Sequence, residues 1–159
     1  MTLALMLSKL QHKVTVLDKN SKKKLLEVND SRTSAISQGS SRILKDISIW
    51  NKIKEKAQPI NEINVSEGIN TNELNFKSKS LNEGPLGYIV DNTYLKKTVF
   101  KEVLKSNFIK FIGGVNIKDI KRTSESATIF SDKGNFPASL IIGADGRNSR
   151  MRFFADIKS

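Results

Sequence analysis

The sequence contains no cysteine and a single histidine, His12. Without cysteine the chain forms neither a disulfide framework nor a thiolate metal site. One histidine also excludes a zinc cluster built from histidines and a Ser-His triad that lacks another base. No segment approaches the roughly 20 consecutive apolar residues that a membrane-spanning helix requires. We therefore expect no metal site and no transmembrane segment.

Charge is strongly biased toward one sign, because the 159 residues carry a formal net charge of +11. A basic surface would suit nucleic acid or an anionic membrane if the cations lay on one face. Apart from Lys22, Lys23 and Lys24 they are scattered, and the aromatic residues are not interleaved with lysines as base stacking requires. A broad bias in residue usage, with abundant Lys, Asn, Ile and Ser, is the favoured explanation of the charge. We keep a basic nucleic-acid-binding module as the alternative hypothesis and expect no specific nucleic-acid partner.

Hydrophobic patterning predicts one globular α/β domain, since 38% of the residues are hydrophobic and 27% charged. The chain opens with an apolar helical stretch, residues 3–10, that has no polar residue to cap its first turn. A β-branched strand, residues 13–17, follows and ends at Asp18. Helix, strand and acid in this order are typical of the second half of a βαβ unit, and we expect that the beginning of the unit is missing.

The rest of the chain alternates between helical and extended patterns. A polar loop is predicted at 19–29 and a helix from 41 to about 50, and either Asp91 or Asn92 is expected to cap a helix at 94–106. Strands are predicted at 86–90, 109–112, 115–120, 127–130 and 136–142, the last after a tight turn at 132–135. An antiparallel hairpin at 60–76, with Gly68 and Asn70 as turn residues, indicates a β insertion at about 58–90.

The most specific stretch is residues 140–152, LIIGADGRNSRMR. A strand of the buried type stops at Gly143, presents the carboxylate of Asp145, and passes Gly146 into a short helix with Asn148 or Ser149 at its N-terminus. In open α/β folds, ligands bind at such turns at the carboxyl ends of strands. Glycine lets the backbone approach a ligand closely, and the carboxylate either accepts from ligand hydroxyls or orders backbone amides. An ordinary Asp-Gly turn is the alternative.

The string at 141–152, IIGADGRNSRMR, resembles a signature of flavoprotein aromatic hydroxylases of the para-hydroxybenzoate hydroxylase type, and most closely the hydroxylases of ubiquinone biosynthesis. Three further stretches resemble that family in the same order, at 2–18, 31–37 and 86–92. The resemblance implies an α/β fold, an incomplete FAD/NAD(P)-binding Rossmann-like domain with inserted antiparallel strands of a substrate domain. Residues 1–159 would be a partial FAD-binding domain that lacks the first strand and the glycine turn.

The resemblance also implies roles for five residues. Asp18 would bind the adenosine ribose hydroxyls, and Arg32 would neutralise the FAD pyrophosphate or orient ribityl oxygens. Asp145, with Gly143 and Gly146, would lie near the pyrophosphate and the nicotinamide cofactor. No catalytic base is identified.

Two neighbouring positions, 92 and 93, give less indication of a cofactor-binding role. Asn92 is expected to cap a helix rather than touch cofactor. Thr93 stands where relatives carry arginine.

The reaction that the resemblance implies is hydroxylation of a phenol, with a polyprenylated substrate, FAD, NAD(P)H as electron donor and molecular oxygen. Such an enzyme would be cytoplasmic, with peripheral association with the inner membrane consistent with a lipid-like substrate. Because the glycine turn is missing, the 159-residue chain alone is expected neither to hold FAD nor to hydroxylate anything.

Overall fold

The computed structural model describes residues 1–66, 73–80 and 84–157. The chain divides into two compact units. Unit 1 comprises residues 1–16 and 21–112, and unit 2 comprises residues 17–20 and 113–159. Helices and strands alternate in the order that the sequence predicts for an α/β chain.

The helices are α1 (Thr2–Lys9), α2 (Lys22–Leu26), α3 (Gln38–Asp46), α4 (Trp50–Ile53), α5 (Asn92–Lys105) and α6 (Arg150–Phe154). The strands are β1 (Val14–Asp18), β2 (Thr33–Ser37), β3 (Gln58–Ile60), β4 (Glu62–Ser66), β5 (Glu73–Lys77), β6 (Gly87–Asp91), β7 (Ile109–Gly113), β8 (Ile117–Arg122), β9 (Ala127–Ser131) and β10 (Gly134–Ala138). Short 3-10 turns lie at Lys54–Lys56 and Ser78–Ser80. Among the described residues, no helix is long and apolar enough to cross a bilayer.

Unit 1 packs around α5. Val99, Phe100 and Val103 on that helix are buried, so the apolar stripe of the helix faces the core. The Phe100 ring meets the ring of Phe111 edge to face at 4.8 Å, a favourable geometry for aromatic pairs. In this core, Trp50 lies with its ring 4.5 Å from that of Tyr88.

The strands of unit 1 form three sheets. β1 pairs with β7, β6 lies between β2 and β3 in an antiparallel sheet, and β4 pairs with β5 as a separate antiparallel hairpin. The hairpin agrees with the prediction for 60–76, whereas its predicted turn residues Gly68 and Asn70 lie outside the described residues. One face of the hairpin is apolar and exposed, and carries Ile63, Val65, Leu74 and Phe76.

Unit 2 contains an antiparallel meander of β8, β9 and β10. β9 and β10 are joined by the predicted tight turn, in which Gly134 pairs with Ser131 and has a φ of +111°. Glycine adopts that conformation without the steric cost that other residues incur. A residue outside the turn also stabilises it, because the backbone N–H of Asn116 donates a hydrogen bond to Asp132 at 2.8 Å.

Residues 139–142 do not form the predicted buried strand. Leu140 and Ile142 are 74% and 49% exposed. Within the described ranges no strand pairs with this segment, and an extended segment without a neighbour gains neither ladder hydrogen bonds nor burial. The prediction at these residues is therefore wrong for this structure.

Three other segments also differ from prediction. The predicted loop at 19–29 contains α2, capped by the Ser21 hydroxyl, which accepts from the Lys24 N–H at 3.2 Å. Residues 33–37, for which no strand was predicted, form β2. The helix predicted to run to Trp50 breaks after Asp46, because Ser48 has a φ of +60°, which no α-helix contains.

Candidate functional site

The Asp145 carboxylate organises the turn that precedes α6. Its Oδ1 accepts from the Ser149 hydroxyl at 2.5 Å, and its Oδ2 accepts from the backbone N–H groups of Arg150 and Met151 at 2.7 and 3.1 Å. The Ser149 hydroxyl in turn accepts from the Arg152 N–H at 3.1 Å and is the N-cap of α6. Of the two roles open to Asp145, ordering backbone amides is therefore the one seen within the chain.

Two opposing effects set the pKa of Asp145. Partial burial raises it, because desolvation disfavours the charged form. Hydrogen bonds from Ser149 and from backbone N–H groups outweigh that effect, so the pKa of the carboxyl is lowered from its ordinary value. The group is therefore ionised at neutral pH, which suits an acceptor of N–H groups in the first turn of a helix.

The two glycines of this turn are required for different reasons. A Cβ built on Gly143 would lie 2.8 Å from the Cβ of Met151, so the backbone passes too close to that side chain for any larger residue. Gly146 has a φ of +85° and open space around it, so its requirement is conformational. Gly143 thus allows a close approach, but to a neighbouring side chain of the same chain.

Asp18 lies at the end of β1, as predicted, and is partly exposed. Its Oδ1 accepts from the backbone N–H of Asn20 at 2.7 Å. Among the described residues Oδ2 accepts no hydrogen bond. The strand thus ends in a fixed carboxylate with one oxygen available to a hydroxyl donor.

Arg32 precedes β2 and its guanidinium is held by Asp30. Nε donates to Oδ1 and Nη2 donates to Oδ2, both at 2.8 Å. The Arg32 side chain is 77% exposed and that of Asp30 is 10% exposed. The hydrogen bonds from Arg32 and then Lys96 hold the pKa of the Asp30 carboxyl well below its usual range, and Asp30 raises the pKa of Arg32.

The start of α5 binds the segment that carries Arg32. Asp91 caps the helix by accepting from the Tyr94 N–H at 2.7 Å, so of the two residues considered as caps Asp91 performs this role. Asn92 is buried and accepts from the Ser34 hydroxyl at 2.5 Å, while its N–H donates to the carbonyl of Arg32 at 3.0 Å.

The predicted residues fall into two groups. Asp18, Gly143, Asp145 and Gly146 belong to unit 2, and Arg32 belongs to unit 1. Within unit 2 the Asp18 carbonyl accepts from the Val115 N–H at 3.0 Å.

Residue 116, next along the chain, links that contact to the start of α6. The Asn116 side chain accepts from Nη1 of Arg150 at 3.2 Å. Arg150 is also the residue whose N–H binds Asp145. The end of β1 and the turn before α6 are therefore connected through a short series of contacts.

Comparison with known families matches residues 1–158 to the family described as FAD binding domain. The chain belongs to this family. Ubiquinone hydroxylase UbiL of Rhodospirillum rubrum is 31% identical in an alignment of 159 positions that covers 98% of this chain and 37% of that protein. The 3-demethoxyubiquinol 3-hydroxylase of Escherichia coli is 28% identical in an alignment of 130 positions that covers 80% of this chain and 33% of that protein. The chain thus spans about a third of the length of these relatives.

Solved structures give the same fold. The p-nitrophenol 4-monooxygenase PnpA of Pseudomonas putida superposes with a TM-score of 0.76 at 15% identity, over 97% of this chain and 40% of that one. The flavin-dependent monooxygenase PieE, solved in complex with FAD and substrate, gives 0.77 at 15% identity, over 98% and 30%. The predicted fold class, a Rossmann-like FAD-binding α/β domain represented in part, is confirmed.

Proposed function

We propose that this chain is the FAD-binding part of a flavin-dependent monooxygenase that hydroxylates a polyprenylated phenol in ubiquinone biosynthesis. The observation that carries the proposal is the match of residues 1–158 to the FAD binding domain family, joined to 31% identity with a ubiquinone hydroxylase over 98% of the chain. The other reactants are molecular oxygen and NAD(P)H as electron donor. FAD bound to these residues would supply the oxygen-activating chemistry for hydroxylation of the ring.

Asp18 and Arg32 supply groups that FAD requires. The free Oδ2 of Asp18 at the end of β1 suits an adenosine ribose hydroxyl, since a carboxylate accepts from that donor. The Arg32 guanidinium has five N–H donors, of which Nε and one on Nη2 are used by Asp30. The exposed remainder suits the pyrophosphate or the ribityl oxygens.

The turn at Gly143, Asp145 and Gly146 has a supporting role in this proposal. Both oxygens of Asp145 already hold the turn and the start of α6. We therefore assign Asp145 to shaping the backbone that would lie near the FAD pyrophosphate and the nicotinamide cofactor. Its own carboxylate is not proposed to bind them directly.

We also infer that the 159-residue chain on its own holds FAD weakly and does not hydroxylate. Asp18 and Arg32 would each contribute on the order of 1–3 kcal/mol as hydrogen bonds to a bound ligand. Association costs roughly 4–15 kcal/mol, so two such contacts leave a Kd in about the millimolar range or weaker. Quenching of flavin fluorescence on titration with the chain measures this, and saturating one-to-one binding at micromolar FAD would contradict it.

The cell compartment follows from the proposed substrate. A polyprenyl tail resides in lipid, so the proposed enzyme would meet its substrate at a membrane surface. We infer a cytoplasmic protein that associates peripherally with the inner membrane. Sedimentation of the full-length protein with vesicles that contain a polyprenyl phenol would test this.

The activity is tested by exchanging segments. Residues 1–159 replace the matching segment of the R. rubrum ubiquinone hydroxylase, and the exchanged gene is introduced into a strain that lacks that hydroxylase. We expect ubiquinone to be restored, as measured by mass spectrometry of the extracted quinones. Asp18→Ala should abolish the restoration and Asp46→Ala, an exposed acid outside the proposed site, should not. An exchanged protein that folds and binds FAD but yields no ubiquinone would contradict the proposed reaction.

A further inference from the structure

We propose that Asp30 is a positioning residue, which fixes the Arg32 guanidinium and the Lys96 ammonium as one cationic site for a phosphate-bearing ligand. The identity of that ligand as a dinucleotide cofactor rests on the proposed function. The proposal that Asp30 positions Arg32 and Lys96 does not rest on the proposed function. Sequence reasoning identified Arg32 but not Asp30 or Lys96, whose involvement depends on contacts across the fold.

The Asp30 carboxylate is fully used by donors within the chain. Oδ1 accepts from Nε of Arg32 at 2.8 Å and from its backbone N–H at 3.3 Å. Oδ2 accepts from Nη2 of Arg32 at 2.8 Å and from Nζ of Lys96 at 2.5 Å. An ionised carboxylate offers about four lone-pair sites, so all of them are occupied. Asp30 is therefore not available as an acceptor for ligand hydroxyls.

The backbone of Asp30 is hydrogen-bonded to the first turn of α5. Its N–H donates to the Thr93 hydroxyl oxygen at 2.7 Å, and that hydroxyl donates back to the Asp30 carbonyl at 3.1 Å. The carbonyl of Arg32 accepts from the Asn92 N–H at 3.0 Å. Three hydrogen bonds therefore place the segment relative to one helix. Threonine at position 93 performs this task in the position where the resemblance leads one to expect arginine.

The exposure of the three charged side chains distinguishes this cluster from an ordinary surface ion pair. Asp30 is 10% exposed, whereas Arg32 and Lys96 are 77% and 49% exposed. The anion thus lies inside and the cations outside, with a net charge of +1. Because Nε and Nη2 face Asp30, Nη1 is directed away from it. A phosphate oxygen could therefore bind Nη1 while the guanidinium is held in place.

The test measures binding of inorganic pyrophosphate to the 159-residue chain. Binding is monitored through the NMR signals of the Arg32 side-chain nitrogens. Asp30→Asn keeps the shape but removes the charge that holds both cations. If Asp30 positions them, the mobility that Arg32 gains should weaken pyrophosphate binding about three- to tenfold, which offsets the electrostatic gain from the lost charge. The Arg32 Nε signal should also lose its protection from solvent exchange.

If Asp30 acts only through its charge, Asp30→Asn should instead strengthen pyrophosphate binding. Removing one negative charge beside an anion site strengthens binding about fivefold for unit charges 4 Å apart in water. Binding that tightens about fivefold in Asp30→Asn, with the Arg32 Nε signal still protected from exchange, would therefore overturn the proposal. Asp46→Asn is the control, because it makes the same change of charge at an exposed acid elsewhere in unit 1. Its affinity should be unchanged or slightly higher.

A second variant keeps the proposal testable if Asp30→Asn does not fold. Thr93→Val removes the hydroxyl that anchors Asp30 while preserving side-chain size, and should weaken pyrophosphate binding in the same direction. Equal binding by a folded Thr93→Val protein would count against the anchor. FAD and NADPH are then compared as competitors of pyrophosphate. Stronger displacement by one of them identifies which cofactor supplies the phosphate, and displacement by neither would reject a dinucleotide ligand while leaving the positioning result intact.

Discussion

Asp145→Ala should loosen α6 without unfolding unit 1. The substitution removes one hydrogen bond from the Ser149 hydroxyl and two from the N–H groups of Arg150 and Met151. Asp145 binds N–H groups of the first turn of α6 as a capping side chain does, and loss of such a side chain costs about 0.5–2 kcal/mol. The side chain is largely solvent-exposed, so we expect the loss to stay in that range. The affected region is the five-residue helix Arg150–Phe154.

Amide hydrogen exchange resolves this change locally. The Met151 N–H, which binds Asp145, and the Ala155 N–H, which donates to the Met151 carbonyl at 3.0 Å, should exchange about 5–30-fold faster for a loss of about 1–2 kcal/mol. Fluorescence of the single tryptophan, Trp50, should not change, because it lies in the core of unit 1. Glu125→Ala, an exposed acid in unit 2, is the matched control.

The same carboxylate makes the start of α6 sensitive to acid. Its pKa is lower in the folded chain than in the unfolded one, so its stabilising contribution is complete above the unfolded value of about 3.9. The contribution is lost as pH falls through the lowered folded-state pKa. Exchange at Met151 that is equal in Asp145→Ala and the parent chain at pH 7 would refute this account of the cap.

Three further predictions concern packing. Phe100→Ala should lower the free energy of unfolding by about 3–5 kcal/mol, measured by urea titration with Trp50 fluorescence; a loss below that of an exposed substitution would contradict the assigned core. Gly143→Ala should destabilise unit 2 by about 1–3 kcal/mol through the clash with Met151, seen as faster exchange around α6, and normal exchange would show that the backbone yields easily. Phe76→Ser on the exposed hairpin face should leave the free energy of unfolding within about 0.5 kcal/mol while reducing light scattering at high concentration; equal scattering would show that this face does not drive association.

Elements with strong periodicity were predictable from sequence. The α5 stripe repeats Val99 and Val103 at helical spacing, and both are buried in the core. The strand at 14–18 carries β-branched residues and ends where Asp18 was expected to end it. In these segments local preference and tertiary packing favour the same structure, so a pattern of a few residues suffices.

Prediction failed where long-range contacts decide. Residues 33–37 have little apolar alternation, and they become β2 because β6 lies beside them. The apolar residues 140–142 have strong strand preference, yet no described strand pairs with them. A sequence pattern reports the preference of a segment and not the presence of its neighbour.

The candidate site was predictable in part for the same reason. Asp145 and Ser149 are four residues apart, and their hydrogen bond is local, so the motif itself suggested an ordered turn. Asp30 contacts Lys96 and Thr93 across more than 60 positions of sequence. The only local sign was its spacing of two from Arg32, at which an Asp side chain can accept from the backbone N–H two residues on, as Asp30 Oδ1 does from Arg32.

FAD content tests the central claim most directly. The R. rubrum ubiquinone hydroxylase with its matching segment replaced by residues 1–159 should purify with stoichiometric FAD, quantified by flavin absorbance after denaturation. Arg32→Ala and Asp18→Ala in the exchanged segment should each reduce the retained FAD, while Asp46→Ala should not. A folded exchanged protein that retains no FAD, or that retains it equally with Asp18 and Arg32 both replaced, would contradict the assignment of this chain's residues to the cofactor.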